Sequence, residues 1–194
     1  MTALNMPKPT NLIIISGPSQ VGKDAVVNQL LEKGTGLNLV KAITYTSREQ
    51  RPEEKEAVDH HFVTPEKFQE LIKQDFFLEW APVRERYFGT PKQAVLDLLE
   101  QGKNVILKID VRGAKQVKEK FSQVITIFIM PDTLDNLKAR MEKKGFSPEQ
   151  MAIRWQEAMN EIETAKTYDY RVINAEGKLE QTVSQVVDIL NKIS

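Results

Sequence analysis

Asn11 to Ser16 reads NLIIIS, an unbroken apolar run closed by Gly17 and Pro18. A short run without alternation predicts a strand buried on both faces of a parallel sheet. After a glycine-containing turn, Val26, Val27, Leu30 and Leu31 recur at helical spacing between Gly22 and Lys33, and Gly34 with Gly36 should end that helix. Leu39–Thr44, Asn104–Asp110, Val124–Met130 and the short Arg171–Asn174 read as further core strands. Helical apolar spacing with terminal Gly or Pro covers Pro91–Gln101, Gly113–Phe121, Thr133–Lys144, Pro148–Lys166 and Leu179–Ile193. Strand and helix alternate, which predicts an α/β fold with a central parallel sheet and right-handed crossovers.

Two stretches interrupt the alternation. Arg48 to Thr90 is rich in charged and aromatic residues, with strands expected at Asp59–Thr64 and Phe76–Val83 around a helix at Pro65–Lys73. It reads as a small inserted subdomain. Lys143 to Arg154 is a polar link between two helices with Gly145 and Pro148 at its bend, where a lid would hinge.

Composition narrows the class of protein. At 194 residues the chain is long enough for one domain with insertions, and 27 basic against 27 acidic side chains leave no global field for nucleic acid or an anionic membrane. Cysteine is absent, which excludes disulfides, thiolate metal sites and a cysteine nucleophile. His60 and His61 are the only imidazoles; neighbours on a strand face opposite sides, so a zinc site is disfavoured. Met1–Thr10 carries two prolines and no long apolar run, so the expectation is a cytoplasmic protein without signal or membrane span.

The segment Gly17-Pro18-Ser19-Gln20-Val21-Gly22-Lys23 has the spacing G-x-x-x-x-G-K and lies between an expected buried strand and a helix, the context that motif requires. Its amides and the helix N-terminus form an anion cradle, and Lys23 reaches terminal phosphates, so a nucleoside triphosphate is the expected ligand. Asp24 and Ala25 follow where a hydroxyl would ordinarily bind magnesium. A carboxylate beside phosphate charge is repulsive unless a cation intervenes, so Asp24 is expected either to contact Mg2+ or to weaken triphosphate binding. It also suits the first turn of a helix through the macrodipole.

Further along stand Thr46-Ser47-Arg48-Glu49-Gln50-Arg51, then Glu54, Asp59 and Phe62, Phe77-Leu78-Glu79-Trp80, Tyr87-Phe88-Gly89-Thr90, Ile109-Asp110-Val111-Arg112-Gly113, and Tyr168-Asp169-Tyr170 before Val172-Ile173-Asn174. In this order the series resembles the guanylate kinase family, over about Leu12 to Leu190. The resemblance implies one P-loop NTPase-fold domain: a core at about 11–44, 91–142 and 155–194, a GMP-binding insertion at about 45–90 and a helical lid at about 143–154. It implies ATP as phosphoryl donor, Mg2+ as cofactor, GMP or dGMP as acceptor, and a monomer or homodimer without nucleic-acid or membrane partners.

Residue by residue, the resemblance gives Arg48 and Arg51 the GMP phosphate, which planar guanidinium forks suit through bidentate bonds. As bare sequence the same pair reads as solvated charge. Glu79 matches a carboxylate that accepts from the guanine amino group and ring NH, a donor pattern adenine lacks. Thr44, Glu54, His60, Gly89, Thr90 and Asp110 fall at other substrate-binding positions. Asp24 and Asp110 are the expected metal contacts, Asp110 otherwise suiting a helix cap. Lys23, Arg140 and Arg154 would hold the moving phosphoryl group.

The chain also departs from the family pattern. Lys108 replaces an acid, Lys144 an arginine, and His60 and Phe88 phosphate-binding tyrosines. A protonated His60 would strengthen GMP binding at lower pH. The expected function is ATP-dependent phosphorylation of GMP. The alternatives are a guanylate-kinase-like nucleotide-binding protein with weak or lost catalysis, or a kinase of another small phosphate ester, for which Glu79 would be dispensable.

Overall fold

The structure, a computed structural model, describes residues 11–33, 35–121 and 123–193. The expectations for Met1–Thr10 and for the Gly34 helix stop lie outside these.

Strand β1 (Leu12–Ser16) is central to a parallel sheet of order β2-β7-β1-β8-β9, with β2 (Leu39–Lys41), β7 (Asn104–Lys108), β8 (Val124–Pro131) and β9 (Tyr170–Asn174). All five residues of β1 are buried, as an unbroken apolar run between two layers of helices requires. Ile13 and Ile15 meet α1 (Lys23–Glu32), α5 (Leu134–Glu142), α6 (Pro148–Thr164) and α7 (Leu179–Lys192) on one face. Leu12 and Ile14 meet α3 (Lys92–Glu100) and α4 (Val111–Lys120) on the other.

A second sheet of order β4-β3-β6-β5 is built from β3 (Thr44–Thr46), β4 (His60–Phe62), β5 (Phe77–Val83) and β6 (Arg86–Pro91), with α2 (Pro65–Lys73) against it. Its core is aromatic: Phe68 stacks on Phe77 at 4.5 Å and on Tyr87 at 5.4 Å between ring centroids. Thr64 caps α2 by accepting from the Lys67 amide, with Pro65 in the first turn.

Two expectations about this region are corrected. Leu39–Thr44 is not one strand: β2 joins the parallel sheet through β7, and β3, two residues later, joins the second sheet. A β-favouring stretch does not reveal that its hydrogen-bonding partners change. Arg86–Pro91, read only as a motif, is a strand that closes a hairpin with β5, the turn passing through Arg84 at φ 59°.

At Lys143–Ser147 the chain links α5 to α6, with Gly145 at φ 69°. Ser147 and Gln150 then form a reciprocal capping box that starts α6, Pro148 occupying its first turn.

Candidate active site

The loop between β1 and α1 is held open by glycines with specific jobs. Gly22 caps α1 at φ 97°, and a Cβ there would stand 2.5 Å from Asn174 Nδ2. Gly17, at φ 148°, passes so close to the Ile129 carbonyl that a side chain would collide with it. Asn174 donates to the Val21 carbonyl at 2.8 Å, tying the loop to β9. Arg140 donates to the carbonyls of Val21 and Asn174, both at 3.3 Å, and to Glu176. Expected to embrace the moving phosphoryl group, Arg140 here braces the loop against β9 and positions it.

Lys23 rests on its own loop, donating to the carbonyls of Gly17 and Pro18, the latter at 2.9 Å. Burial holds its ammonium below the ordinary lysine range; Glu161, a half-buried residue of α6, is the largest influence opposing that. Glu161 is itself pushed up to about 7 by burial, with Lys23 drawing it back. Nothing in the spacing of α6 singled Glu161 out, since the packing that buries it is tertiary.

On the second sheet, Glu79 is only 4% exposed. Thr90 donates to its Oε1 at 2.5 Å, and Gly113 on α4 lies so close that a Cβ there would stand 3.0 Å from the Glu79 carboxyl carbon. Burial raises Glu79 to about 7, with nearby Asp110 adding to the rise. Gly113, seen in the sequence only as part of a motif, therefore has a steric task. Gly89 has a different one: its missing side chain makes room for Phe77 and Phe68, so this expected substrate residue serves the aromatic core.

Arg48 is 7% exposed and makes a two-pronged pair with Glu54, one prong at 2.6 Å. The same carboxylate accepts from the Arg51 amide at 3.0 Å, and the Arg48 bonds hold Glu54 down at about 2. Glu54 is thus an organiser of the arginine loop, with no free carboxylate for a substrate. The side chain of Arg51 is 60% exposed, and Ser47, Arg48, Arg51 and Arg86 line an open cleft. From α6, Arg154 stacks over Phe146 at 3.7 Å and stands in the field of Arg84, Arg51 and Arg86. Arg84 pairs with Glu157 of α6 at 2.6 Å, so the β5–β6 hairpin and α6 face each other across this arginine group. Arg84 and Arg86 escaped the sequence reading because charge in a hairpin turn looks like ordinary solvated surface.

Two further expectations are corrected. Burial, with Lys108 and Arg48 nearby, pushes His60 down to about 4, which works against the cationic phosphate-binding role expected of it. Its Nδ1 shares a hydrogen bond with Thr44 Oγ1 at 2.7 Å, and Phe88 packs on its ring edge.

The metal expectation fails on its donors. Asp24 is engaged by the Lys108 ammonium. Asp110 caps α4, its Oδ1 accepting from the amides of Arg112 and Gly113 at 3.0 and 2.9 Å, while its Oδ2 accepts from the Arg112 guanidinium. Among the described residues no group of three or more His, Asp or Glu is arranged to hold an ion. A divalent cation coordinated by Asp24 would sit against an ammonium, so these residues do not fit a magnesium ion held by the protein.

Comparison with known proteins agrees with this geometry. The family model described as guanylate kinase matches residues 9–193. A guanylate kinase of Clostridium perfringens strain 13 is 42% identical over 180 residues, 92% of this chain and 82% of its own. One from Oceanobacillus iheyensis is 42% identical over 180 residues, 92% of this chain and 85% of its own. Among solved structures, guanylate kinase from Anaplasma phagocytophilum superposes with a TM-score of 0.75 at 29% identity, covering 94% of this chain and 85% of its own.

Proposed function

As the chain belongs to the guanylate kinase family, we propose that it transfers the γ-phosphoryl group of ATP to the phosphate of GMP or dGMP. One observation carries the acceptor: Glu79 is a buried carboxylate held by Thr90, with Gly113 of α4 packed against it. Guanine offers its ring NH and amino group to such a carboxylate. Adenine offers no matching pair and would leave it unpaired, at a cost of about 1 to 3 kcal/mol.

The chain divides into a core, an acceptor-binding insertion built on the second sheet, and a lid formed by residues 143–147 and the first turns of α6. The Arg84–Glu157 pair joins the insertion to α6. In the transfer, the bond from the β,γ-bridging oxygen to the γ-phosphorus breaks, ADP leaving with the electron pair. A GMP phosphate oxygen forms the new bond in line. The protein positions two anions and stabilises their charge. ATP phosphates displace Lys23 from the Gly17 and Pro18 carbonyls onto themselves. Arg48, Arg51 and Arg86 hold the GMP phosphate, and Arg154 approaches from α6.

A coupled assay of ADP formation, comparing GMP, dGMP, AMP and no acceptor, tests the reading. A GMP-selective rate that is lost in Lys23→Ala is expected. A rate indifferent to the acceptor, or GMP binding without turnover, would sink it.

A further inference from the structure

Lys108 ends β7, where its backbone pairs in register with Ile15 of β1, just before the phosphate loop. The next residue, Ile109, accepts a 2.7 Å hydrogen bond from the buried Ser16 hydroxyl, so the end of β7 is fastened to the start of the loop. From this anchored position the Lys108 ammonium reaches Asp24 in the first turn of α1. The lysine side chain is 26% exposed and that of Asp24 76%, so the pair sits at the mouth of the loop.

We propose that Lys108 is a catalytic residue, an ammonium that leaves Asp24 to bridge the facing phosphates of the two nucleotides. Resting on the kinase reading above, this assigns a role to a position that the family resemblance marked as the loss of an acid.

Three observations support it. The donors expected for a metal are occupied, Asp24 by Lys108 itself and Asp110 by the α4 amides and Arg112, so the positive charge the protein builds in here is an ammonium. Lys108 lies between the phosphate loop and the second sheet: its charge acts on Lys23 and Asp24 at the loop, on Lys41 at the end of β2 and on His60 of β4. Gathering Lys23, Lys41, Lys108 and Arg48 is electrostatically unfavourable until a polyanion enters, and Asp24 is the counter-charge that holds Lys108 ready.

The rival role is structural: Lys108 would only neutralise Asp24, which otherwise repels phosphate. Comparison of wild type with Lys108→Met and with Asp24→Ser/Lys108→Met, at saturating ATP and GMP, separates the two. Loss of neutralisation is repaired in the double variant, which carries no misplaced carboxylate; loss of a phosphate contact is not. The expected result is that kcat falls at least tenfold in both, while each keeps a GMP-induced thermal shift as proof of folding. A kcat within tenfold of wild type in either one overturns the proposal. Lys108→Gln replaces Lys108→Met, alone and in the double variant, if the latter does not fold. A wild type without GMP-dependent ADP formation would instead overturn the kinase reading.

Discussion

In the proposed acceptor role Glu79 meets two demands that oppose each other: burial to select guanine and ionisation to bind it. Burial holds it at about 7 against an ordinary value of 4.5. The carboxylate form grows about tenfold between pH 6 and 8, so the KM for GMP should fall by about that factor over the range. Glu79→Gln should flatten this dependence, whereas a His60→Gln profile should keep it, because His60 titrates near 4. A GMP KM that rises with pH would return the phosphate-binding role to a protonated imidazole. Stability follows the same group. The folded state holds the Glu79 proton to about pH 7 while the unfolded chain releases it near 4.5, so this contribution is complete below 4.5 and lost as pH rises through 7. Glu79→Gln should therefore raise Tm at pH 8 by about 3 °C or more while lowering kcat/KM for GMP at least tenfold.

Helix α4 owes its placement to one missing methyl group. Gly113 faces the Glu79 carboxyl, and Gly113→Ala should force helix and carboxylate apart, costing about 1 to 3 kcal/mol. Calorimetry should show that loss together with a raised KM for GMP; an unchanged KM would mean that the carboxylate has room to move. The contact also shows where reading the chain succeeds and stops. Apolar runs and helical spacing located β1, α1, α2 and β7 because their signal lies within a dozen neighbouring residues. They missed the switch of sheets between Lys41 and Thr44 and the strand at Arg86–Pro91, where pairing with a distant partner decides the structure. The site divides the same way. Lys23, Arg48, Arg51 and Glu79 were legible in ordered motifs, whereas Glu161 beside Lys23 and Arg84 beside Glu157 join positions far apart in the chain.

In the molecule as a whole, α6 reaches from the parallel sheet to the β5–β6 hairpin of the second sheet through Arg84 and Glu157. The Arg84–Glu157 pair is partly exposed and contributes at most about 1 kcal/mol, so Arg84→Ala should shift Tm by no more than about 4 °C. In the proposed reading GMP bridges the same parts. At a hundredfold excess over Kd a ligand of the folded state alone adds about 2.7 kcal/mol, which corresponds to a rise in Tm of about 5 to 10 °C. Scanning fluorimetry should show that rise with GMP at concentrations where AMP leaves Tm unchanged; equal shifts would remove the guanine selectivity assigned to Glu79.

The linear chain by itself determined the α/β alternation and the phosphate loop, because turn chemistry, helical periodicity and motif spacing act between near neighbours; Arg48, Arg51 and Glu79 stood out through the ordered resemblance to the guanylate kinase family. Tertiary structure alone decided what those groups do. It lifted Glu79 to about 7 and lowered His60 to about 4 by burial, spent Asp110 on the start of α4, gave Glu54 to Arg48, and set Lys108 on Asp24. Charge and solvation depend on which surfaces meet and how much water remains between them. Lys108 and Asp24 meet across a separation of 84 positions, and no local pattern carries that distance.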